Sequence, residues 1–239
     1  MNWNRAIPLA VAGVLSISLF QVKGDAQAQS QPTVQIPQSG VPQILTIEGK
    51  FVRAAYNNEG YVILGYQASN RSIGEEWMLL EVGMTLRDKV PNYKITRQAI
   101  SLDLPDGKTN LPLPTVTEQR AGNVQGIQQR AKVQRDSINY VPPGASRACG
   151  LLFFPDLGSR ALPYDETELS DDRACVGRLY FKIPGGIALG QYWLNVKFQN
   201  STLRVPFKIL TEEEEKFLSK NYKSIEKQVK EAFAPPKKK

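Results

Sequence analysis

Apolar and polar positions alternate along much of residues 43–210, and a period of two is typical of β-strands with one buried face. Turn signals at Asn57-Asn58-Glu59-Gly60 and Asp106-Gly107 separate some of these segments. The strand-like segments are residues 44–52, 61–68, 77–86, 94–104, 149–154, 176–183, 190–198 and 203–210. The pattern therefore predicts a mainly β domain over residues 43–210.

The alternation stops in an insertion at about residues 115–138, which is rich in Gln and Arg. Some of its apolar residues recur near helical spacing, whereas two glycines weaken a helix. The apolar residues are Val124, Ile127, Ala131 and Ile138, and the glycines are Gly122 and Gly126. We expect one helix over residues 117–134; the alternative is a long loop.

Residues 211–239 change to the period of an α-helix. Thr211 and Glu214 have the spacing of a capping box, which satisfies the first backbone N–H groups of a helix. An apolar stripe follows at intervals of 4, 3 and 4 residues, formed by Leu218, Tyr222, Ile225 and Val229. Pro235-Pro236 ends the helix before a basic tail. The stripe either packs on its own domain, as we expect, or binds a partner.

The chain begins with the pattern of a secretory signal peptide. A short positive start precedes an apolar run over residues 6–20, and Ala26-Gln27-Ala28 offers the small residues that signal peptidases recognise. The run is shorter than a membrane-spanning helix requires, so we expect cleavage after residue 28 rather than an uncleaved anchor. Residues 29–42 are rich in Gln, Pro and Ser, and this predicts a flexible leader.

Composition narrows the chemistry that the chain can perform. It contains no histidine, and histidine is the usual acid–base residue of serine and cysteine hydrolases and of hydrolytic zinc sites. Loss of Arg5, Lys23 and Asp25 with residues 1–28 lowers the formal net charge from +7 to +6. This spread charge favours attraction to anionic cell-surface material and not nucleic-acid recognition. No later segment predicts a transmembrane span, and we assign no catalytic residue, metal ligand or cofactor.

Two cysteines, Cys149 and Cys175, are separated by 26 residues. In an exported protein such a pair predicts one intramolecular disulfide; free thiols or an intermolecular bridge are the alternatives. The segments that begin at Arg147 and Arg173 share the letters Arg-Ala-Cys. We expect these two segments to lie side by side and the cysteines to bridge them.

An acidic loop is expected at residues 155–172. Its carboxylates are Asp165, Glu166, Glu168, Asp171 and Asp172. Such density suits a Ca²⁺ site or a glycosidase carboxylate pair, but no EF-hand spacing is present, so we expect a solvated loop. Ser224 and Lys227 match the S-x-x-K motif without its partner motifs, and Asn70 and Asn200 begin N-glycosylation patterns.

The strand-rich region resembles the immunoprotective extracellular immunoglobulin-like domains of bacteria. The resemblance is carried by the segment from Ile100 to Lys108, a strand that enters an Asp-Gly turn, and by Val141-Pro142-Pro143-Gly144 followed by residues 150–154. It implies a non-enzymatic immunoglobulin-like β-sandwich, here with a helical insertion and a C-terminal amphipathic helix. It omits residues 211–239, and both the insertion and the acidic loop depart from the pattern.

These observations predict a secreted or periplasmic, non-catalytic module that binds a protein or cell-envelope partner or serves a structural role there. The alternative is a carbohydrate-active protein, either a binding module or a carboxylate-dependent hydrolase. Exposed aromatic residues in a row, or two carboxylates facing each other in a cleft, would favour the alternative.

Overall fold

Strands dominate the chain between residue 44 and the C-terminal helix. A computed structural model describes residues 43–134 and 137–232; the expected signal peptide (1–28), the leader (29–42) and the basic tail lie outside this part. The strands are β1 (Ile44–Gly49), β2 (Val52–Tyr56), β3 (Gly60–Gly65), β4 (Trp77–Leu86), β5 (Tyr93–Thr96), β6 (Ile100–Asp103), β7 (Asn110–Pro112), β8 (Arg147–Leu151), β9 (Glu166–Leu169), β10 (Arg173–Lys182), β11 (Gly190–Lys197) and β12 (Thr202–Ile209). The helices are α1 (Gln67–Asn70), α2 (Val116–Ala121), α3 (Gln125–Val133) and α4 (Glu212–Ala232).

The strands of residues 43–134 and 137–232 form three sheets. The largest has the order β1-β2-β3-β4-β10-β8, the second β12-β11-β6-β7, and β5 pairs with β9 in the third. Pairing is antiparallel except between β10 and β8, which run parallel. The chain is therefore mainly β, with several sheets and a C-terminal helix.

The two larger sheets share one hydrophobic core. Alternate residues of β3, such as Val62 and Leu64, belong to the same buried cluster as Leu194 and Val196 of β11. The other face of β2 and β3 carries a smaller cluster, which contains Val52, Ala54, Tyr61, Ile63 and Ile138. The period-two alternation reflects these two environments, because successive strand residues point to opposite faces.

The insertion contains two short helices, so the expectation of one helix over residues 117–134 is wrong. α2 begins with a capping box in which Thr115 accepts a hydrogen bond from the backbone N–H of Glu118. Gly122 ends α2 with extended backbone and lies against the indole ring of Trp77, where a Cβ atom would come within 2.4 Å. The close approach of this ring explains why a residue without a side chain interrupts the helix.

Two of the expected strands are each divided. Residues 44–52 turn back after Gly49, which makes β1 and β2 neighbours in one hairpin. Residues 94–104 form β5 and β6 in different sheets, separated by a 3₁₀ turn at Arg97–Ala99. Arg97 is buried there and its Nη1 donates to the carbonyl of Phe153 at 2.8 Å. Alternation alone does not reveal such a change of sheet, because both halves keep a period of two.

The expected acidic loop at residues 155–172 is a loop only in part. Its residues Glu166–Leu169 form β9, which pairs antiparallel with β5. Lys94 of β5 lies opposite Glu168, and its Nζ also contacts Glu166. Opposite charges on the facing strands β5 and β9 stabilise their pairing. Composition alone had predicted a solvated loop at the position of β9.

The predicted disulfide is confirmed. Cys149 of β8 and Cys175 of β10 are directly paired across the parallel strands and joined by their sulfur atoms, with 4.1 Å between their Cα atoms. The repeated letters Arg-Ala-Cys are in register, since Arg147 faces Arg173 and Ala148 faces Ala174. The similarity of the two segments thus marks two neighbouring strands.

Candidate interaction surface

The C-terminal helix α4 combines a face packed on the domain with an exposed, charged face. Its predicted capping box is formed: Thr211 Oγ1 accepts from the N–H of Glu214 at 3.2 Å, and Thr211 N–H donates to Glu214 Oε2 at 3.1 Å. Its first turn also carries Glu212, Glu213 and Glu215. Negative charge at this end is favourable, because the helix dipole is positive there.

Two of these glutamates fasten the helix to the domain. The guanidinium of Arg71 donates to both oxygens of Glu215, at 2.5 and 2.6 Å, and Lys50 Nζ lies 3.1 Å from the same carboxylate. Lys208 of β12 contacts Glu214 at 2.6 Å. The hydrogen bond from Arg71 holds the pKa of Glu215 below its usual value, so this carboxylate stays charged in weak acid.

The backbone that leads into α4 is fixed by the buried side-chain amide of Asn70. Asn70 is only 3% exposed, and its Oδ1 accepts a hydrogen bond from the N–H of Leu210 at 2.7 Å. The asparagine of the first N-glycosylation pattern is therefore buried inside the protein. The second pattern begins at Asn200, which is exposed in the turn between β11 and β12.

The apolar stripe of α4 faces its own domain. Leu218 is buried at 9% exposure, and Ile225 packs against the main core. Tyr222 and Val229 are half-buried, and the hydroxyl of Tyr222 donates to the carbonyl of Ile47 in β1 at 3.3 Å. Burial raises the pKa of Tyr222 to about 12. The four residues thus cover the β1 edge of the six-stranded sheet.

The opposite face of α4 presents a row of lysines. They recur at intervals of 4, 3, 4 and 3 residues, and all are exposed: Lys216, Lys220, Lys223, Lys227 and Lys230. Phe217 lies beside this row and is 60% exposed, which is unusual for a large aromatic residue. The lysine row was not predicted from the sequence, although it has the spacing of the apolar stripe and begins two residues before it.

The carboxylates of the acidic segment are engaged with basic groups. Asp165 lies 3.6 Å from Arg97, and Glu166 contacts Lys94. Glu168 and Asp172 both pair with Arg173, Asp172 also pairs with Arg147, and Asp171 accepts from the backbone N–H of Lys89. Within the described residues no group of three or more metal-ligating side chains is arranged to hold an ion.

A surface cavity of about 450 Å³ lies beside the end of β10. Its lining consists of Gly74, Glu76, Lys182, Ile183, Pro184, Gly185 and Gly186. Glu76 and Lys182 form an ion pair at 3.1 Å, so its two charged groups neutralise each other. Ser224 of the S-x-x-K motif is elsewhere, exposed on α4.

Four buried side-chain polar atoms have no hydrogen-bond partner among the described residues. They are Trp77 Nε1, Gln119 Nε2, Gln128 Nε2 and Tyr180 Oη. Gln119 and Gln128 belong to the two helices, and Trp77 and Tyr180 to the strands β4 and β10, which pair with each other.

Comparisons with protein-family models, with curated proteins and with solved structures found no match to this chain. None of the helices among residues 43–134 and 137–232 is both long enough and apolar enough to cross a membrane.

Proposed function

We propose that the chain is an exported, non-catalytic module that binds a partner in the cell envelope. The proposal includes cleavage of the signal peptide after residue 28. The disulfide between Cys149 and Cys175 supports an extracytoplasmic location, because such bonds persist mainly in oxidising compartments.

The proposed scaffold is an immunoglobulin-like β-sandwich. The core shared by the six-stranded and four-stranded sheets supports this architecture. The parallel pair of β8 and β10 would be a departure from it, since sandwiches of this kind are built mainly from antiparallel strands.

The observation that carries the binding role is the outer face of α4. The helix is 21 residues long and is fastened through Glu214, Glu215 and its apolar stripe. Its lysine row and Phe217 remain exposed, and the helix that carries them is already folded on the domain. A preformed surface loses little conformational entropy on binding, which favours association.

A carbohydrate-active role receives less support from the same structure. Four of the five carboxylates in the acidic segment, all except Asp171, are paired with arginine or lysine. The exposed aromatic residues of the described chain lie on separate elements, with Tyr140 before β8, Tyr164 before β9 and Phe217 on α4.

Fractionation of a bacterial cell that expresses the full chain tests the proposed function. We expect a product that begins at Gln29, contains the disulfide and sediments with envelope material. A matched variant in which Lys216, Lys220, Lys223 and Lys227 are changed to glutamine should be exported equally but released into the soluble extracytoplasmic fraction. Retention in the cytoplasm, or equal sedimentation of both proteins, would contradict the proposal.

A further inference from the structure

We propose that the lysine face of α4 docks the protein on the surface of an anionic phospholipid bilayer. This inference rests on the proposed function and names the chemistry of its partner. It concerns the row formed by Lys216, Lys220, Lys223, Lys227 and Lys230, hereafter the lysine row, together with the neighbouring Phe217.

The lysine row is straight and points away from the domain. At 3.6 residues per turn its members fall within an arc of about 80°, and at 1.5 Å per residue they extend over about 21 Å. The apolar stripe, with Leu218 buried and Ile225 packed on the core, occupies the opposite side of the helix. A plane can therefore touch all five ammonium groups without contact with the packed face.

The charge of the lysine row is only partly neutralised within the helix. Lys216 lies 4.0 Å from Glu212 and Lys227 lies 3.8 Å from Glu231, and all four side chains are at least 65% exposed. Lys230 makes a closer pair with Glu226 at 2.7 Å. Lys220 and Lys223 form no ion pair with the described residues. Exposed pairs of this kind are weak, so lipid phosphates can replace the carboxylates at little cost.

The sequence adds basic charge after the helix. Lys237, Lys238 and Lys239 follow within ten residues of Lys230, and residues 232–239 contain no acidic residue. Each lysine beside an anionic bilayer adds to the electrostatic attraction. The eight lysines of the row and tail exceed by four the glutamates of α4 that are not paired with the domain, which are Glu212, Glu213, Glu226 and Glu231, and this net positive charge favours a reversible attachment.

Phe217 favours a bilayer over a hydrated anionic polymer. Phe217 is 60% exposed, follows Lys216 in the chain and points about 100° around the helix axis from the middle of the lysine row. Aromatic side chains are stabilised at the level of lipid headgroups, where one part of the ring leaves water. Because the apolar stripe is occupied by the domain, the helix would rest on the headgroups, with Phe217 at the flank of the contact.

Vesicle sedimentation of the purified full chain tests the inference. Vesicles of phosphatidylcholine alone are compared with vesicles that also contain phosphatidylglycerol, at low and high salt. We expect binding that requires phosphatidylglycerol and is lost at high salt, since exposed charges are screened. Any binding by the N-terminal apolar segment is measured on the phosphatidylcholine vesicles.

The matched variants locate the contact. The variant K216Q/K220Q/K223Q/K227Q should bind the anionic vesicles on the order of 1,000-fold more weakly, from the contribution of four lysines near a charged surface. The control K108Q/K132Q/K182Q/K197Q removes the same charge from exposed lysines elsewhere and should bind within a few-fold of the unmodified chain. Phe217→Ala should weaken binding several-fold without changing its salt dependence.

Three results would overturn the inference. The first is an equal loss of vesicle binding in the two quadruple variants. The second is equal binding of the unmodified chain to both vesicle types. The third is tighter binding of the chain to a soluble anionic polysaccharide than to vesicles. If the unmodified chain sediments with envelope material but not with vesicles, the lipid inference fails while the binding module stands. If it binds vesicles but its envelope association does not need the lysine row, the proposed function fails instead.

Discussion

The two edges of the six-stranded sheet are stabilised in different ways. At one edge β8 is joined to β10 by the disulfide between Cys149 and Cys175, which closes a loop of 26 residues. At the other edge β1 is covered by α4, which follows it by more than 160 residues and is held through side-chain contacts and ion pairs. The covalent edge is insensitive to pH and salt, whereas the ion pairs at the helical edge depend on both.

The two edges also differ in whether the contacts that stabilise them position an exposed surface. The β8 edge is stabilised chiefly through its effect on the unfolded chain, because a crosslink reduces the number of unfolded conformations. The β1 edge is stabilised by contacts in the folded state, and these contacts orient the lysine row outward. Variants at the two edges should therefore change different measurements.

The largest effect is expected from removal of the disulfide. The double variant Cys149→Ser, Cys175→Ser should lower the free energy of unfolding by about 3 kcal/mol, as the chain-entropy model gives for a loop of this length. Urea titration of the oxidised protein, the reduced protein and the variant checks this. Equal midpoints for the oxidised and reduced proteins would show that the bond does not stabilise the domain, and α4 should stay docked in all three.

A smaller effect is expected from charges in the apolar stripe. Leu218→Asp combined with Ile225→Asp should weaken docking of α4 by about 2 kcal/mol, because charged groups replace apolar side chains that are partly or fully buried. Hydrogen exchange of α4 amides should rise while that of β4 and β10 changes little. The control Ser219→Asp, Ser224→Asp adds the same charge on exposed positions and should leave exchange unaltered. Similar exchange in both variants would show that the stripe does not hold the helix.

The ion pairs at the start of α4 should contribute less. Glu215→Gln removes the carboxylate that Arg71 and Lys50 share, and the expected loss is about 1 kcal/mol because Arg71 and Lys50 are partly exposed. Hydrogen exchange of α4 at neutral pH measures it. An unchanged exchange rate would assign the docking to the apolar stripe alone.

The same carboxylate predicts how docking depends on pH. The pKa of Glu215 is lower in the folded protein than its ordinary value of 4.5, chiefly because of the hydrogen bond from Arg71. Its contribution is therefore complete above that ordinary value and is lost as the pH falls through the folded pKa. Exchange of α4 amides should rise in acid relative to the rest of the domain, and Glu215→Gln should reduce this rise. A pH dependence identical in both proteins would contradict the assignment to Glu215.

The smallest effect on stability is expected from the lysine row. The variant K216Q/K220Q/K223Q/K227Q should change the free energy of unfolding by less than about 0.5 kcal/mol, because exposed substitutions away from packed contacts have small effects. Thermal unfolding followed by circular dichroism checks this. A large loss of stability would show that the row supports the fold, and any loss of vesicle binding would then need a different explanation.

Local sequence signals predicted individual elements well where the signal and its cause lie close together in the chain. Trp77–Leu86 forms one strand as expected, and Thr211 caps α4 as expected. Predictions were wrong where distant residues decide the local geometry. Gly122 divides the expected helix because the ring of Trp77 lies against it.

The candidate surface was predicted in part. The apolar stripe from Leu218 to Val229 follows directly from helical spacing, but the choice between domain and partner depends on where β1 lies. The lysine row was readable from the same spacing. Its exposure follows from the tertiary structure, because the opposite face of α4 packs on the core.

The sequence by itself determined the predominance of strands, the start of the C-terminal helix after Thr211 and the pairing of the two cysteines, because periodicity, caps and residue count are local properties. Tertiary structure alone decided that residues 94–104 divide between two sheets, that β9 forms from acidic residues and that Asn70 is buried. These features arise from contacts between segments far apart in the chain, and the free energy of such contacts exceeds the weak preference of each segment for its own local conformation.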